Sequence, residues 1–208
     1  MVLRMMDVST QNVNLEGRGR KPDAQPPVGF PDARPVPCPE PEPLPMLGVD
    51  VGGVLTSRAA DDQDTSFFSS QPMLTPAVAG AFDALTTLAA GPFAGRIHIV
   101  SKCGPKIAAL TREWLGHHEF FERTGIPSAN LHFVRRRPEK APVCARLGIT
   151  HFIDDRLDVL VHMTTVPHRY LFLGDAPERT ASEPVPPWAV PATSWTDLAV
   201  LLAAGRDH

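Results

Sequence analysis

The chain has 208 residues, of which 43% are hydrophobic, and its formal net charge is -3 at pH 7. This length suits one compact domain with a tail, and the near-neutral charge provides no general attraction to nucleic acid or to a membrane surface. No apolar run is long enough to span a membrane, no signal peptide is predicted, and the three cysteines lack the spacing of a zinc site or a disulfide framework. We therefore expect a cytoplasmic protein without a membrane partner.

Proline dominates the N-terminal part of the chain, from Lys21 to Pro45. Each proline removes a backbone donor and holds the chain near polyproline II, so this segment cannot build a folded core. We predict a disordered leader over residues 1–45 and a folded domain over residues 46–208. The composition of the leader favours an inert tail, and the alternative role is docking on the aromatic-lined groove of a partner.

Short apolar runs alternate with helical patterns after the leader. In chain order, strands are predicted at residues 46–51, 96–101, 130–134, 150–155 and 169–174. Helices are predicted at residues 75–91, 105–116, 156–163 and 194–205, with an irregular helical turn at 139–148. Thr75 is expected to cap the first helix, and Gly91 to end it. The alternation indicates an α/β fold, a Rossmann-like parallel sheet of about five strands with helices on both faces.

The segment between the first strand and the first helix is a loop, SRAADDQDTSFFSSQPML. It is too short for a sizeable cap domain, so an open pocket is expected. Phe67 and Phe68 in this loop could stack on a base or close the rim of the pocket.

Polar residues stand where the apolar strands end. The first strand ends at Asp50, the second at Ser101 and the fourth at Asp154 and Asp155, and Lys140 precedes the fourth strand. Because ligands of open parallel sheets bind beyond the carboxyl ends of the strands, we expect these side chains to converge. A carboxylate nucleophile, a hydroxyl, an ammonium and an acidic pair that can hold Mg²⁺ fit phosphoryl transfer.

Four segments, DVGGVLT, IVSK, Lys140 and HFIDDR, resemble the sequence motifs of the haloacid dehalogenase (HAD) superfamily in their order and strand-end positions. The resemblance covers roughly residues 46–205, and EKAPVCARLGITHFIDDRLDVL is most similar to the deoxyribonucleotidase-like members. It implies a HAD-like fold and a Mg²⁺-dependent phosphatase that works through an aspartyl phosphate.

The resemblance also implies a role for each residue. Asp50 would attack phosphorus, with Ser101 and Lys140 as the other catalytic groups. The metal would be held by Asp50, the carbonyl of Gly52 and Asp155, with Asp154 and Asp158 in support. The phosphoryl oxygens would be held by the amides of Gly53 and Val54, by the hydroxyl of Ser101, and by the lysines Lys102 and Lys140. Glycines let backbone amides approach an anion closely.

One position departs from the motif. Phosphatases of the superfamily usually carry a second aspartate two residues after the nucleophile, where it protonates the leaving oxygen, and here that position is Gly52. General acid–base catalysis typically raises the rate by ~10² to 10⁴. Its loss predicts a slow enzyme, a substrate with a good leaving group, another residue that supplies the proton, or no turnover. The predicted function is a phosphatase of a small-molecule phosphomonoester, with a nucleotide among the candidates. The alternatives are a catalytically impaired binding module and a phosphatase of a macromolecular substrate.

Several of these residues have simpler interpretations. Asp154 and Asp155 could cap the helix that follows them, and Lys102 and Lys106 compete with Lys140 for its role. The run Arg135–Arg137 is typical of a solvated loop, and its functional alternative is an anion clamp for a second phosphate or a nucleic-acid backbone. The histidines are expected at the surface or in the core, and Cys103 is expected to be a small buried side chain. If another residue supplies the missing acid, His117, His118 and the acids of the DDQD loop are the first candidates.

Overall fold

The structure is a computed structural model that describes residues 44–57, 71–174 and 184–204. The described residues belong to one compact unit. The predicted leader lies almost entirely outside them, and so do the DDQD acids, Phe67 and Phe68, so these expectations stay predictions. None of the described helices is long and apolar enough to cross a membrane.

Six parallel strands form a single sheet in the order β3-β2-β1-β4-β5-β6. Their bounds are β1 Leu47–Val49, β2 Ile97–Lys102, β3 Leu131–Val134, β4 His151–Asp154, β5 His168–Phe172 and β6 Val190–Ala192. β1 pairs with β2 on one side and with β4 on the other, so the first strand is central. The parallel, Rossmann-like α/β sheet predicted from the alternating pattern is confirmed.

Helices cover both faces of this sheet. Their bounds are α1 Ala81–Ala90, α2 Pro105–His117, α3 Phe120–Thr124, α4 Lys140–Leu147, α5 Leu157–Leu160 and α6 Trp195–Ala204. One buried apolar cluster joins Val49 of β1 to Phe82 of α1 and Trp114 of α2. A second cluster, on the other face, joins Phe152 of β4 to Cys144 of α4. The alternation of side chains along each strand therefore feeds two layers of core.

The start of α1 differs from the prediction. The helix begins at Ala81, after a Gly80 N-cap in the left-handed conformation (φ 74°), and not at Thr75. Thr75 instead ends a short 3₁₀ turn, Pro72–Leu74. The intervening backbone is extended because it pairs with the segment after β1, through bonds such as Ser57 N–H to Pro76 O (3.0 Å). Gly91 ends the helix as predicted.

β6 and α3 are elements that the sequence pattern did not predict. β6 has only three residues, of which Pro191 lacks a backbone donor, and it pairs with β5 alone at the edge of the sheet. An edge strand tolerates proline, because one side of it needs no partner. The turn predicted at residues 139–148 is a regular helix, α4, which ends at Gly148.

Gly48 lies in the central strand β1, at a position where the core on the α4 face leaves no room for a side chain. A Cβ at this position would lie 2.7 Å from Cε2 of Phe152 and 2.9 Å from Cδ1 of Ile149. We expect Gly48→Ala to lower the free energy of unfolding by about 1–3 kcal/mol, since both neighbours are fixed in the core. Gly116→Ala in α2 is the matched control, because nothing lies within 4 Å of its Cβ position, and a helical alanine should be neutral or slightly stabilising. Urea unfolding measures the free energy of unfolding of both variants. Equal changes would contradict the prediction, because they would show that Phe152 and Ile149 move aside for the added methyl group.

Candidate active site

The carboxyl ends of β1, β2 and β4 bring the predicted polar residues together. Asp50 directly follows β1, and its N–H donates to Ile153 O of β4 (3.0 Å), which sets it level with Asp154. Ser101 lies near the end of β2. Lys140, the first residue of α4, is buried against this edge. The parallel register thus produces the convergence that the strand ends predict.

Lys140 joins two of the acidic side chains. Its Nζ lies 2.7 Å from Oδ2 of Asp154, a hydrogen bond, and 2.9 Å from Oδ1 of Asp50, an ion pair. The side chains of Lys140 and Asp154 are 2% and 0% exposed. Buried charges of this kind persist only when they are paired, since each alone would cost several kcal/mol. Of the three lysines considered for this role, Lys140 is the one that contacts Asp50.

The electrostatics of the cluster keep the ammonium charged. Burial lowers the pKa of Lys140, but the nearby charges of Asp154 and Asp50 more than offset this, so the pKa lies above its usual value. Burial raises the pKa of Asp154 well above its usual range; Lys140 opposes that rise, and Asp50 and Asp155 add to it. A single ammonium therefore faces an excess of carboxylates.

This excess fits a divalent cation. Asp50, Asp154 and Asp155 are all buried, and each offers a carboxylate oxygen within 4.8 Å of the others. Three buried carboxyl groups this close together repel one another when they are ionised, so a divalent cation beside Lys140 would lower the electrostatic cost of the cluster. Hard oxygen ligands are those that Mg²⁺ takes, so the residues present fit this ion.

Asp154 also contacts the segment that leads into α5, but it is not the N-cap of that helix, which is Arg156. Oδ1 of Asp154 accepts the N–H of Arg156 (3.0 Å), the residue that precedes α5. Arg156 in turn donates to both oxygens of Asp158, at 2.8 Å and 3.2 Å, and these bonds lower the pKa of Asp158. The interpretation of Asp154 as a helix cap is therefore wrong; one of its oxygens fixes the backbone before α5 and the other pairs with Lys140.

Ser101 contributes a buried hydroxyl whose Oγ finds no hydrogen-bond partner among the described residues. A buried polar atom without a partner is uncommon and is typical of a position where a ligand or an ordered water binds. A phosphoryl oxygen would be a suitable acceptor for this hydroxyl. This is the second feature of the site, besides the charge excess, that points to a bound group.

Hydrogen bonds within the turn after Asp50 engage some of its backbone amides and leave others open. Gly53 N–H donates to Thr56 O (2.9 Å), and Val54 N–H to Val51 O (3.3 Å), so both predicted phosphate-binding amides are already engaged within the turn. Gly53 takes φ 74°, which a glycine adopts without steric cost. In the described segments, the amides of Val51 and Gly52 donate no backbone hydrogen bond. These two amides therefore remain available in the turn, and sequence reasoning had not singled them out.

The remaining candidates lie around the site or away from it. Lys102 is half-buried at the end of β2, and Lys106 is exposed in the first turn of α2. Burial raises the pKa of the Cys103 thiol to about 11, so a buried, protonated side chain is the better description of it. His118 packs against Trp114, with ring centroids 4.4 Å apart, in an aromatic cluster, and burial lowers its pKa.

Comparison with known proteins gives a likeness of fold. No family model matches the chain, and no curated protein matches it. A solved structure of D,D-heptose 1,7-bisphosphate phosphatase from Burkholderia thailandensis is 16% identical with a TM-score of 0.50, over 77% of this chain and 99% of that one. This likeness shows that the chain shares its α/β fold with that phosphatase.

Two further structures are similar at lower scores. One, from Burkholderia xenovorans LB400, is assigned as a haloacid dehalogenase-like hydrolase (15% identity, TM-score 0.45, 64% of this chain and 60% of that one). The other, from Vibrio cholerae, is assigned as a 3-deoxy-D-manno-octulosonate 8-phosphate phosphatase (16% identity, TM-score 0.46, 79% and 88%).

Removal of the buried ammonium tests the cluster. We expect Lys140→Met to lower the free energy of unfolding by about 3–5 kcal/mol, because it leaves buried carboxylates without their partner. Lys106→Met, at an exposed position, is the control and should change stability by less than about 0.5 kcal/mol. Urea unfolding without divalent metal measures both variants. A loss for Lys140→Met no larger than that of the control would contradict the ion-pair account.

Proposed function

We propose that this chain is a Mg²⁺-dependent phosphomonoester hydrolase that uses Asp50 as its nucleophile. The observation that carries the proposal is the buried Lys140, in contact with both Asp50 and Asp154 at the sheet edge where Ser101 offers an unpartnered hydroxyl. A solved structure with a similar fold is named a heptose bisphosphate phosphatase, and this supports a small phosphorylated substrate for the present chain.

In the first step, a carboxylate oxygen of Asp50 bonds to phosphorus and the phosphorus–oxygen bond to the leaving group breaks. Oδ1 of Asp50 is buried beside Lys140, so Oδ2 is the oxygen available for attack. Lys140 and the Ser101 hydroxyl would stabilise the negative charge on the transferring phosphoryl group. A bound Mg²⁺, held by Asp50, Asp155 and the Gly52 carbonyl with Asp154 in support, would neutralise further charge on its oxygens.

In the second step, water attacks the phosphorus of the aspartyl phosphate. The bond between phosphorus and Asp50 breaks, inorganic phosphate leaves, and the Asp50 carboxylate is regenerated. Lys140 would again compensate the charge that returns to Asp50. Covalent catalysis of this kind divides one difficult displacement into two easier ones.

The leaving group of the first step needs a proton, and the usual donor is missing from this chain. Gly52 has no side chain to deliver it, and His118, one predicted substitute, lies in the aromatic cluster with Trp114. A leaving group of low pKa departs without protonation, so aryl esters should react where alkyl esters are slow. The competing function, a binding module without turnover, draws its support from this same glycine.

A leaving-group series separates these two functions. With Mg²⁺, we expect aryl phosphates such as p-nitrophenyl phosphate to turn over at least ~10²-fold faster than alkyl phosphates in single-turnover assays. Asp50→Asn should abolish the activity, and EDTA should suppress it. No turnover of any aryl phosphate would favour the binding module, whereas equal rates for aryl and alkyl esters would mean that another residue supplies the proton.

Gly52→Asp is the informative variant in the same series. Gly52 is not among the residues with positive φ, so its backbone accepts an L-side chain, whereas Gly53→Asp would be strained at φ 74°. Gly52→Asp should raise the single-turnover rate on alkyl esters and flatten the leaving-group dependence. The Gly53→Asp variant is the matched control and should bring no such gain.

A further inference from the structure

Arg112 of α2 is an exposed cation held in a defined position beside the site. Its guanidinium lies over the ring of Phe133, 4.7 Å from the centroid, and its Nη1 lies 3.4 Å from Ala108 O. Stacking and one long hydrogen bond orient the guanidinium while most of its N–H groups stay available. A guanidinium fixed in this way suits recognition of a carboxylate or a phosphate.

The strand register places this cation next to the phosphoryl site. Phe133 of β3 pairs with Ser101 of β2, and paired residues of neighbouring strands lie about 4.8 Å apart. Cys103, two residues after Ser101, is within electrostatic reach of both Asp50, which raises the pKa of its thiol, and Arg112, which lowers it. The guanidinium therefore lies within about 13 Å of the Ser101 Cα, the sum of one strand spacing, the length of the Phe133 side chain and the 4.7 Å stacking distance.

Around the site, some cationic side chains pair with an acidic side chain and others do not. On the β4 side Arg156 pairs with Asp158, and in the loop before α4 Arg136 pairs with Glu139 (2.7 Å). Within the described ranges, Arg112 and Lys102 enter no ion pair. The β2–β3 side of the site thus keeps a positive excess.

A comparison within the chain separates this arrangement from ordinary surface stacking. Arg123 of α3 also stacks on an aromatic ring, Phe82, at 4.9 Å, and its charge is met by Asp83 at 3.7 Å. Arg112 has the same stacking geometry without an acid. No acid in the described part of the protein pairs with Arg112, so its guanidinium is available to an anion from outside.

We propose that the substrate carries a second anionic group, separate from the reacting phosphoryl group, and that Arg112 binds it with the charge of Lys102 in support. The inference rests on the proposed phosphatase activity and narrows its substrate class. The substrate is a phosphomonoester with a phosphate or a carboxylate within about 13 Å of the reacting phosphorus, the upper bound on the reach from Ser101 to the Arg112 guanidinium.

Three matched substrates test the proposal: butyl phosphate, butane-1,4-diyl bisphosphate and 4-phosphonooxybutanoate. We expect the wild-type protein to show a kcat/KM for the bisphosphate about tenfold above that for butyl phosphate, beyond the statistical factor of two for its equivalent phosphates. Arg112→Gln should remove most of this preference, mainly through KM. Arg123→Gln is the matched control and should retain the full preference.

The carboxylate compound identifies which anion the guanidinium takes. A preference for 4-phosphonooxybutanoate that is lost in Arg112→Gln assigns the position to carboxylates, and one confined to the bisphosphate assigns it to phosphates. Turnover without a preference for either dianion, or a preference that survives Arg112→Gln, would overturn the proposal and leave the phosphatase function intact.

A binding measurement keeps the two hypotheses apart if no substrate turns over. In that case the phosphatase function is wrong, and binding of a second anion at Arg112 is tested by itself. The measurement is the melting temperature of the protein with Mg²⁺ and each compound. We expect the bisphosphate to raise the melting temperature of the wild type more than butyl phosphate does, and Arg112→Gln to lose that difference. Equal shifts in the two proteins would overturn the proposal.

Discussion

The ion pairs of Lys140 with Asp50 and Asp154 couple the fold of this protein to its site. These charges are buried at the edge of the sheet, and each is tolerable only because the others are near it. Their approach requires β1 and β4 to pair in register and α4 to begin at the carboxyl end of the sheet. A shift of one residue in either strand would turn the carboxylate to the opposite face. The stability of the fold and the proposed chemistry therefore depend on the same three residues.

The fold was predictable to the extent that apolar periodicity determines it. Strands such as Ile97–Lys102 are buried on both faces and show as apolar runs, and the alternation with helices indicates a parallel sheet. The start of α1 was not predictable, because Thr75 and the following proline resemble a helix start, while the actual start depends on pairing with residues near Thr56. β6 was missed because three residues with a central proline carry little strand pattern.

The site was predictable where chemistry and position coincide. Asp50, Ser101, Asp154 and Asp155 each stand at a strand end, and the motif order singled out Lys140 among the neighbouring lysines. The turn after Asp50 was not predictable in detail, because hydrogen bonds within it decide which amides remain available. Arg112 was also beyond sequence reasoning, since its relation to Ser101 passes through a helix, the ring of Phe133 and a strand register.

If Asp50 is a nucleophile held in a charged, buried cluster, the reaction passes through a covalent phosphoryl adduct on its side chain. To detect it, the protein is mixed with p-nitrophenyl phosphate and Mg²⁺, quenched in acid within the first turnover, and analysed by intact mass and peptide mapping. We expect a phosphoryl adduct on the peptide containing Asp50 and none in Asp50→Asn. Hydrolysis that proceeds in wild type and in Asp50→Asn alike, with no adduct in either, would show that Asp50 is not the nucleophile.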